Sequence, residues 1–321
     1  MPEPEWTHLR VTALAGGVGG ARLAHGLAAL LDPGALSVVV NTGDDFETLG
    51  LTICPDLDTV TYTLAGLANP ETGWGLAGDT TAALEALRRL GGPDWFRLGD
   101  RDLATHLFRT QRLRAGQTLT EVTAQIAAGL GARHPILPMC DPPCRTRVLT
   151  DEGELEFQEY FVRLQCRPRV NGFRWEGLDS ARPTQAVLRA LDNADLIVFC
   201  PSNPFVSIDP ILNLPGVRER VAARCAVAVS PILGGRAVKG PAAKMFAELG
   251  FEPSALNVAR RYRDLLRGFV LDEVDAGQVN AVEALGMRAA AFPTLMPGLN
   301  ERAAVARRVL AFGSGLLAGA I

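Results

Sequence analysis

The chain has 321 residues, of which 48% are hydrophobic and 21% are charged, a composition typical of a globular protein with an ample core. Its 32 basic and 35 acidic side chains leave a net charge of −3, which argues against nucleic acid or another polyanion as a partner. We expect a cytoplasmic protein that makes no membrane contact, because no apolar run is long enough to span a bilayer and residues 1–10 lack the pattern of a signal peptide.

The first predicted element leads into a glycine-rich turn. Residues 11–15 form a short apolar run, which predicts a buried strand of a parallel sheet. Gly16, Gly17, Gly19 and Gly20 follow, and leucines then recur at helical spacing. Glycines let backbone N–H groups approach an anion closely, and the amino terminus of a helix attracts negative charge. This pattern predicts phosphate binding at the turn.

The turn matches neither of two common nucleotide-binding motifs. Arg22 stands where a dinucleotide-binding fingerprint has its third glycine, and the Gly-Lys-Ser/Thr of a P-loop is absent from the segment. The turn alone therefore indicates a phosphate or a nucleotide without saying which, and a purely structural turn remains the alternative.

Acidic residues follow the second predicted strand. The apolar run 36–40 leads directly into Asp44 and Asp45, and the carboxyl ends of parallel strands meet at one edge of a sheet. Asp58 follows in the segment PDLDT, where Asp58 or Thr59 would also serve as the N-cap of the next helix. Carboxylates that follow loops can converge on a cation, so we predict that Asp44, Asp45 and Asp58 bind Mg²⁺ or a substrate hydroxyl.

Residues 74–131 are expected to be mainly helical. One helix is predicted to begin at Asp79 or Thr80, and a later one begins with a capping box at Thr118. His106 falls in the predicted helix between them, and its residue type favours a position on the helix surface.

A β-hairpin is predicted after the strand 135–139. Apolar residues alternate over 145–162 across a turn at 151–153, with Tyr160 in the second arm and Val162 at its end. We expect residues of about 140–180 to form an insertion that covers the pocket or contacts another subunit.

The remaining segments alternate between helices and strands. They predict a helix at 183–194, strands at 196–200, 226–230, 269–271 and 289–292, and a closing helix from Glu301. No repeat or linker interrupts the chain, so we expect a single elaborated α/β domain over 1–321, with a Rossmann-like, doubly wound, mainly parallel sheet, a helical layer and the hairpin insertion.

The six cysteines are expected to be reduced thiols, because the chain shows no export signal. Cys140 and Cys144 could suggest a metal clip, but no second Cys or His pair at zinc spacing accompanies them.

Taken together, these segments resemble the 2-phospho-L-lactate transferases, the CofD-like enzymes of deazaflavin coenzyme F-420 biosynthesis. The resemblance spans nearly the whole chain and is carried, in order, by AGGVGGARLAHGL, NTGDD, PDLDT, WFRLGDRDLATHL, LTEVT, ELEFQEYFV, PSNPFVSIDPIL and VSPILGGRAVKGPAAKM.

The resemblance implies an activity. Members transfer a phospholactyl or phosphoenolpyruvyl group from a guanosine-diphosphate-linked donor to the primary hydroxyl of 7,8-didemethyl-8-hydroxy-5-deazariboflavin. The reaction releases GMP and takes place with Mg²⁺ present. It also implies a homodimer. The implied roles are catalysis by Asp45 and Asp58, deazaflavin binding by Asp58 and Arg97, and nucleotide or phosphate binding by Gly17, Gly19, Gly20, Ser202, Asn203, Gly235 and Lys244.

Two departures from the family pattern concern substrate binding. Residues 138–141 read Pro-Met-Cys-Asp where the family often has Pro-Met-Ser-Asp, which affects donor selection because a thiol is a weaker hydrogen-bonding group than a hydroxyl. Arg97 replaces the Lys of some members, which keeps the charge and changes its geometry. These residues do not distinguish between the two transferred groups.

Two other classes compete with the transferase. The first is a regulatory, nucleotide-sugar-binding protein on the same scaffold, similar to the gluconeogenesis-factor branch. That branch typically carries Asp-Asp-Gly-Gly-Ser-Ser after its second strand, which residues 41–45 do not match. The second is a dehydrogenase, which Arg22 in the fingerprint position disfavours.

Overall fold

The computed structural model describes residues 5–319. The expectation that no signal peptide is present rests partly on residues 1–4, which lie outside the described range. Within 5–319, the helices lack the combination of length and apolar character that crossing a bilayer requires.

The strands of the described residues agree in place with most of the predicted runs. They are β1 Val11–Ala15, β2 Leu36–Val40, β3 Phe46–Thr48, β4 Leu51–Ile53, β5 Ile136–Pro138, β6 Arg145–Thr150, β7 Gly153–Glu156, β8 Val170–Glu176, β9 Leu196–Phe199, β10 Cys225–Val229, β11 Ile232–Leu233, β12 Arg236–Ala237, β13 Gly268–Leu271 and β14 Arg288–Ala291.

The α-helices connect these strands. They are α1 Gly17–Ala28, α2 Pro55–Leu64, α3 Ala82–Arg89, α4 Asp100–Arg114, α5 Leu119–Gly129, α6 Gln185–Asn193, α7 Asp209–Leu212, α8 Val217–Ala222, α9 Ala242–Glu248, α10 Ala255–Tyr262, α11 Val279–Glu283 and α12 Leu299–Leu317. Short 3-10 turns occupy Glu5–His8 and Glu273–Gln278, and π-helical turns occupy Glu159–Arg163 and Pro204–Ile208.

Seven of the described strands form a parallel sheet in the order β14-β13-β10-β9-β1-β2-β5. Both faces are covered, since Leu14 and Val39 belong to one buried core and Ala13 and Val38 to the other. This confirms the predicted doubly wound fold. The strand order reverses between β1 and β9, and in such sheets a ligand crevice opens at that point, outside the carboxyl ends of the strands.

Two predicted helix starts are wrong. Helix α2 begins at Pro55 after Cys54, so neither Asp58 nor Thr59 is its N-cap, and proline at a first helical position explains the earlier start. Helix α3 begins at Ala82. Asp79 instead accepts hydrogen bonds from the backbone N–H groups of Arg101 (2.9 Å) and Asp102 (3.0 Å) and so caps α4. The capping box at Thr118 is confirmed.

The predicted hairpin is partly confirmed. Strands β6 and β7 pair antiparallel, and β8 pairs with the other edge of β6, forming a three-stranded sheet. The second arm ends at Glu156, so Tyr160 and Val162 lie in a helical turn and not in a strand. Tyr160 is fully buried, and its apolar contacts decided its position more than the local alternation did.

Candidate functional site

The glycine turn at the start of α1 lies against the loop that follows β9. The hydroxyl of Ser202 accepts a hydrogen bond from the Gly16 N–H (3.0 Å) and donates one to the Gly16 carbonyl (2.8 Å). A Cβ on Gly19 would overlap the carbonyl oxygen of Pro201, and one on Gly20 would overlap the Ser202 hydroxyl. These two glycines therefore let the loops after β1 and β9 meet at the reversal of the strand order.

The amino end of α1 already has an acidic partner in the protein. Asp56, in the first turn of α2, accepts hydrogen bonds from the Gly17 N–H (2.7 Å) and from the Asn41 amide (2.9 Å). Burial raises the pKa of Asp56 to about 6, although these two hydrogen bonds oppose the rise. Asp56 was not predicted as a site residue from the sequence. Its position two residues before the predicted ligand Asp58, in the same segment PDLDT, was the available signal.

Asp44 and Asp45 lie beside Asp56 with unsatisfied oxygens. In each, the Oδ1 atom is buried and has no hydrogen-bond partner among the described residues. Burial raises the pKa of both carboxyls well above the usual range, and the charge of Asp56 raises both further. A group of carboxylates whose burial and mutual repulsion oppose ionisation is a suitable environment for a cation.

Asp58 lies in the same cleft but already has a counter-ion. Arg109 of α4 donates to both of its oxygens, from Nη1 to Oδ2 at 3.1 Å and from Nη2 to Oδ1. His106, also on α4, places Nδ1 at 3.6 Å from Asp58 Oδ2 and at 3.2 Å from Arg109 Nη1. Asp58 therefore has a direct ion pair within the protein, which Asp44 and Asp45 lack among the described residues.

His106 is 1% exposed, so the expectation of a surface position is wrong. Its Nε2 lies 3.4 Å from Asp102 Oδ2, and the Tyr62 hydroxyl donates to Asp102 Oδ1 at 2.6 Å. Burial raises the pKa of Asp102, but the hydrogen bond and charge of His106, with Tyr62, lower it on balance. Asp102, His106 and Arg109 share one face of α4 because they are four and then three residues apart, which was the signal in the sequence.

Most of these residues line one cleft of about 650 Å³, whereas Asp45 and Arg109 lie outside its lining. Asp56 adjoins the glycine turn through its hydrogen bond from the Gly17 N–H, and Arg22 and Lys239 contribute positive charge to the lining. Apolar side chains line much of the rest of the cleft: Trp74, Trp95, Phe96, Phe157, Phe161, Leu295 and Met296. The cleft therefore combines a polar, charged end with an aromatic surface suited to a flat ring.

The residues predicted from the sequence fall into two groups. Those that line the cleft are Asp44, Asp58, Arg97, Gly17, Gly19, Ser202 and Asn203. Those outside its lining are Asp45, Gly20, Gly235 and Lys244. Lys244 donates to Glu248 (2.6 Å) and to the carbonyl of Pro168 (3.0 Å), which connects α9 to the segment before β8. The assigned roles of both groups stay predictions.

The cysteines are free thiols, as expected. Cys140 contacts the Thr42 hydroxyl (3.7 Å) and the carbonyl of Pro142 (3.3 Å). Among residues 5–319, the side chains grouped closely enough to hold a metal ion are Asp58, Asp102 and His106, a set that includes neither Cys140 nor Cys144.

Comparisons with known proteins agree with one another. The family model described as 2-phospho-L-lactate transferase CofD matches residues 11–285. The phosphoenolpyruvate transferase of Streptomyces griseus is 45% identical, over 94% of this chain and 98% of the relative, and that of Kitasatospora aureofaciens is 46% identical, over 94% and 97%. The 2-phospho-L-lactate transferase of Methanosarcina acetivorans is 39% identical, over 92% and 97%.

A solved structure shares the fold. Protein BH3568 of Bacillus halodurans superposes with a TM-score of 0.61 at 13% identity, over 94% of this chain and 99% of its own. At that identity the likeness concerns the fold alone. The regulatory alternative finds no support in these comparisons, since the relatives named above are transferases.

Proposed function

Since the chain belongs to the 2-phospho-L-lactate transferase (CofD) family, we propose that this transferase moves a three-carbon phosphoryl unit from a guanosine-diphosphate-linked donor to the primary hydroxyl of 7,8-didemethyl-8-hydroxy-5-deazariboflavin. GMP is the leaving group, and the product is a precursor of coenzyme F-420. The observation that carries the proposal is the cleft in which a glycine turn and a group of carboxylates adjoin an aromatic wall.

The phosphoenolpyruvyl group is favoured over the phospholactyl group. The two phosphoenolpyruvate transferases above are 45% and 46% identical to this chain, whereas the 2-phospho-L-lactate transferase is 39% identical. The two groups differ only in the three-carbon unit attached to phosphorus, so we expect the same polar contacts to serve both.

The acidic residues support the proposed magnesium ion, although the close group of three possible ligands among the described residues is Asp58, Asp102 and His106. The orphaned Oδ1 atoms of Asp44 and Asp45 are further candidate ligands, and the charge of Asp56 acts on both. Asp58 stays a predicted ligand, but its pairing with Arg109 makes it the less suitable one. When bound, the ion would neutralise donor phosphate oxygens and stabilise the negative charge on departing GMP.

The acceptor is proposed to bind between Asp58 and the aromatic surface. Arg97 is exposed at the cleft and follows Trp95 and Phe96, whose rings suit the flat deazaflavin. Asp58 accepts the hydrogen bond of the attacking hydroxyl, and Arg109 and His106 fix the direction of its carboxylate. The catalytic role of Asp45 stays a prediction, since Asp45 lies outside the cleft lining.

One assay tests the reaction directly. Purified protein is incubated with the deazaflavin, Mg²⁺ and either the phosphoenolpyruvyl or the phospholactyl donor, and product and GMP are quantified by chromatography with mass detection. We expect equal amounts of GMP and of the deazaflavin phosphodiester that carries the three-carbon unit, with faster turnover of the phosphoenolpyruvyl donor. Absence of GMP release with both donors from a folded protein would refute the proposed reaction.

We also propose a homodimer that acts in the cytoplasm, on the basis of the family resemblance. Light scattering of the purified protein tests the first proposal, because the mass of one chain is 34.2 kDa. Cell fractionation tests the second.

A further inference from the structure

Three cations lie along α1 without acidic partners. Within residues 5–319, no ion pair includes Arg22, Lys239 or Arg302. The Nε atoms of Arg22 and Arg302 are buried and have no hydrogen-bond partner among the described residues. Buried Nε atoms without a hydrogen-bond partner also occur at Arg109, Arg145 and Arg220, but those three arginines are in ion pairs, whereas Arg22 and Arg302 lack both among the described residues and are available to an anion.

The charge of Arg22 on α1 acts on both Lys239 and Arg302. Arg22 and Lys239 line the cleft, whereas Arg302 lies outside its lining. Lys239 donates to the Thr72 carbonyl, and its Nζ lies beside Gly73, which itself packs against the first turn of α1. Arg302 lies in the first turn of α12, where its backbone carbonyl packs directly against Gly26 of α1.

The electrostatics of the group are unfavourable in the absence of a ligand. Burial lowers the pKa values of Lys239 and Arg302, and the charge of Arg22 lowers both further. Like charges that repel in a partly buried site lose this penalty when an anion binds between them. Arginine in particular suits carboxylates and phosphates, because its planar fork can donate two parallel hydrogen bonds.

We propose that Arg22, Lys239 and Arg302 form an anion subsite that binds a negatively charged group of the nucleotide-linked donor, a phosphate or a carboxylate. This inference rests on the proposed function for the identity of the donor. Arg22 follows Gly17 by five positions, a rise of about 7.5 Å along the axis, so its backbone lies more than one helical turn beyond the glycine turn. A donor with several negative charges can thus be held at two points of one cleft.

The test uses charge removal with matched controls. Arg22→Gln and Arg302→Gln remove one charge each, Arg22→Lys keeps the charge but loses the fork, and Arg307→Gln removes an exposed charge from the same helix α12. Calorimetry measures binding of inorganic pyrophosphate, GDP, phosphoenolpyruvate and guanosine. Steady-state kinetics measures KM for the phosphoenolpyruvyl donor.

We expect Arg22→Gln and Arg302→Gln to weaken anion binding at least about tenfold, the loss typical of one charge-assisted hydrogen bond. Arg22→Lys should retain part of the affinity, Arg307→Gln all of it, and guanosine binding should not change. If the variants bind pyrophosphate and GDP more weakly than wild type, the subsite binds phosphate. If they bind only phosphoenolpyruvate more weakly and raise the KM for the donor, the subsite binds the carboxylate.

The proposed subsite is refuted if folded Arg22→Gln and Arg302→Gln bind pyrophosphate, GDP and phosphoenolpyruvate with the same affinity as wild type. If either variant fails to fold, Lys239→Gln on its exposed loop provides the same comparison. The proposed function fails separately, when wild-type protein releases no GMP. The binding measurements do not depend on turnover and still decide the subsite in that case.

Discussion

Arg109 holds both carboxylate oxygens of Asp58 across a separation of 51 residues, and both side chains are buried. This ion pair connects α4 of the helical layer to α2 beside the sheet. Removing one partner of a buried pair leaves an uncompensated charge, which costs more than the pair itself contributes.

Arg109→Gln should therefore lower the free energy of unfolding by about 3–5 kcal/mol. The double variant Arg109→Gln/Asp58→Asn should recover part of that loss, because it removes both charges. Urea denaturation followed by circular dichroism measures both effects. Arg112→Gln, an exposed change on the same helix, should cost less than about 1 kcal/mol. Wild-type stability in Arg109→Gln would show that the pair is not formed in solution.

Asp58→Asn should lower kcat at least about tenfold, the effect of roughly 1.4 kcal/mol in transition-state stabilisation. The amide removes the negative charge that is proposed to accept the hydrogen bond of the attacking hydroxyl. Asp32→Asn, an exposed change outside the cleft, provides the control and should leave kcat unchanged. A lower melting temperature with undiminished kcat would give Asp58 a structural role alone.

Asp56 should make the metal-free protein more stable as the pH falls. Burial raises its pKa to about 6 in the folded state, above the value near 3.9 of an unfolded chain. Between these values the folded state binds a proton that the unfolded state does not, so stability is lost as the pH rises. From pH 4.5 to pH 7 the contribution of Asp56 amounts to about 2 kcal/mol.

The measurement compares wild type with Asp56→Asn in EDTA by urea denaturation at several pH values. The difference in stability between the two should shift in favour of the variant as the pH rises. A constant difference across this range would mean that Asp56 has the same pKa in both states.

Magnesium should be required for turnover more than for binding of the deazaflavin. The orphaned oxygens of Asp44 and Asp45 lie near the glycine turn, whereas the aromatic residues that suit the acceptor ring are uncharged. EDTA should stop product formation while the intrinsic fluorescence of the deazaflavin still reports saturable binding. Mg²⁺ should also raise the melting temperature of wild type, and Asp44→Asn should reduce that rise.

Full turnover in buffer shown to be metal-free by elemental analysis would eliminate the carboxylates as magnesium ligands for the reaction. A melting temperature that responds equally to Mg²⁺ in wild type and Asp44→Asn would place the ion elsewhere.

Local sequence pattern was sufficient for most of the fold. Residues 11–15 and 36–40 were identified as strands because a parallel strand buried on both faces is a short, continuous apolar run. The parallel order then placed Gly17, Gly19 and Asp44 at one edge of the sheet, since the loops after neighbouring parallel strands open on the same side. The strand positions follow from the hydrophobic pattern of the sequence, and the shared edge follows from the parallel order of the strands.

The partners of each charged group were decided by tertiary packing. Helix α4 carries many polar residues, so its sequence pattern did not indicate that His106 and Arg109 are buried. Their burial is favourable because α2 brings Asp58 next to them as a counter-charge. In the same way, Asp56 acquired its role when the turn after β1 met the first turn of α2. A buried charge is stable only next to its counter-charge or ligand, and residues far apart in sequence supply these partners.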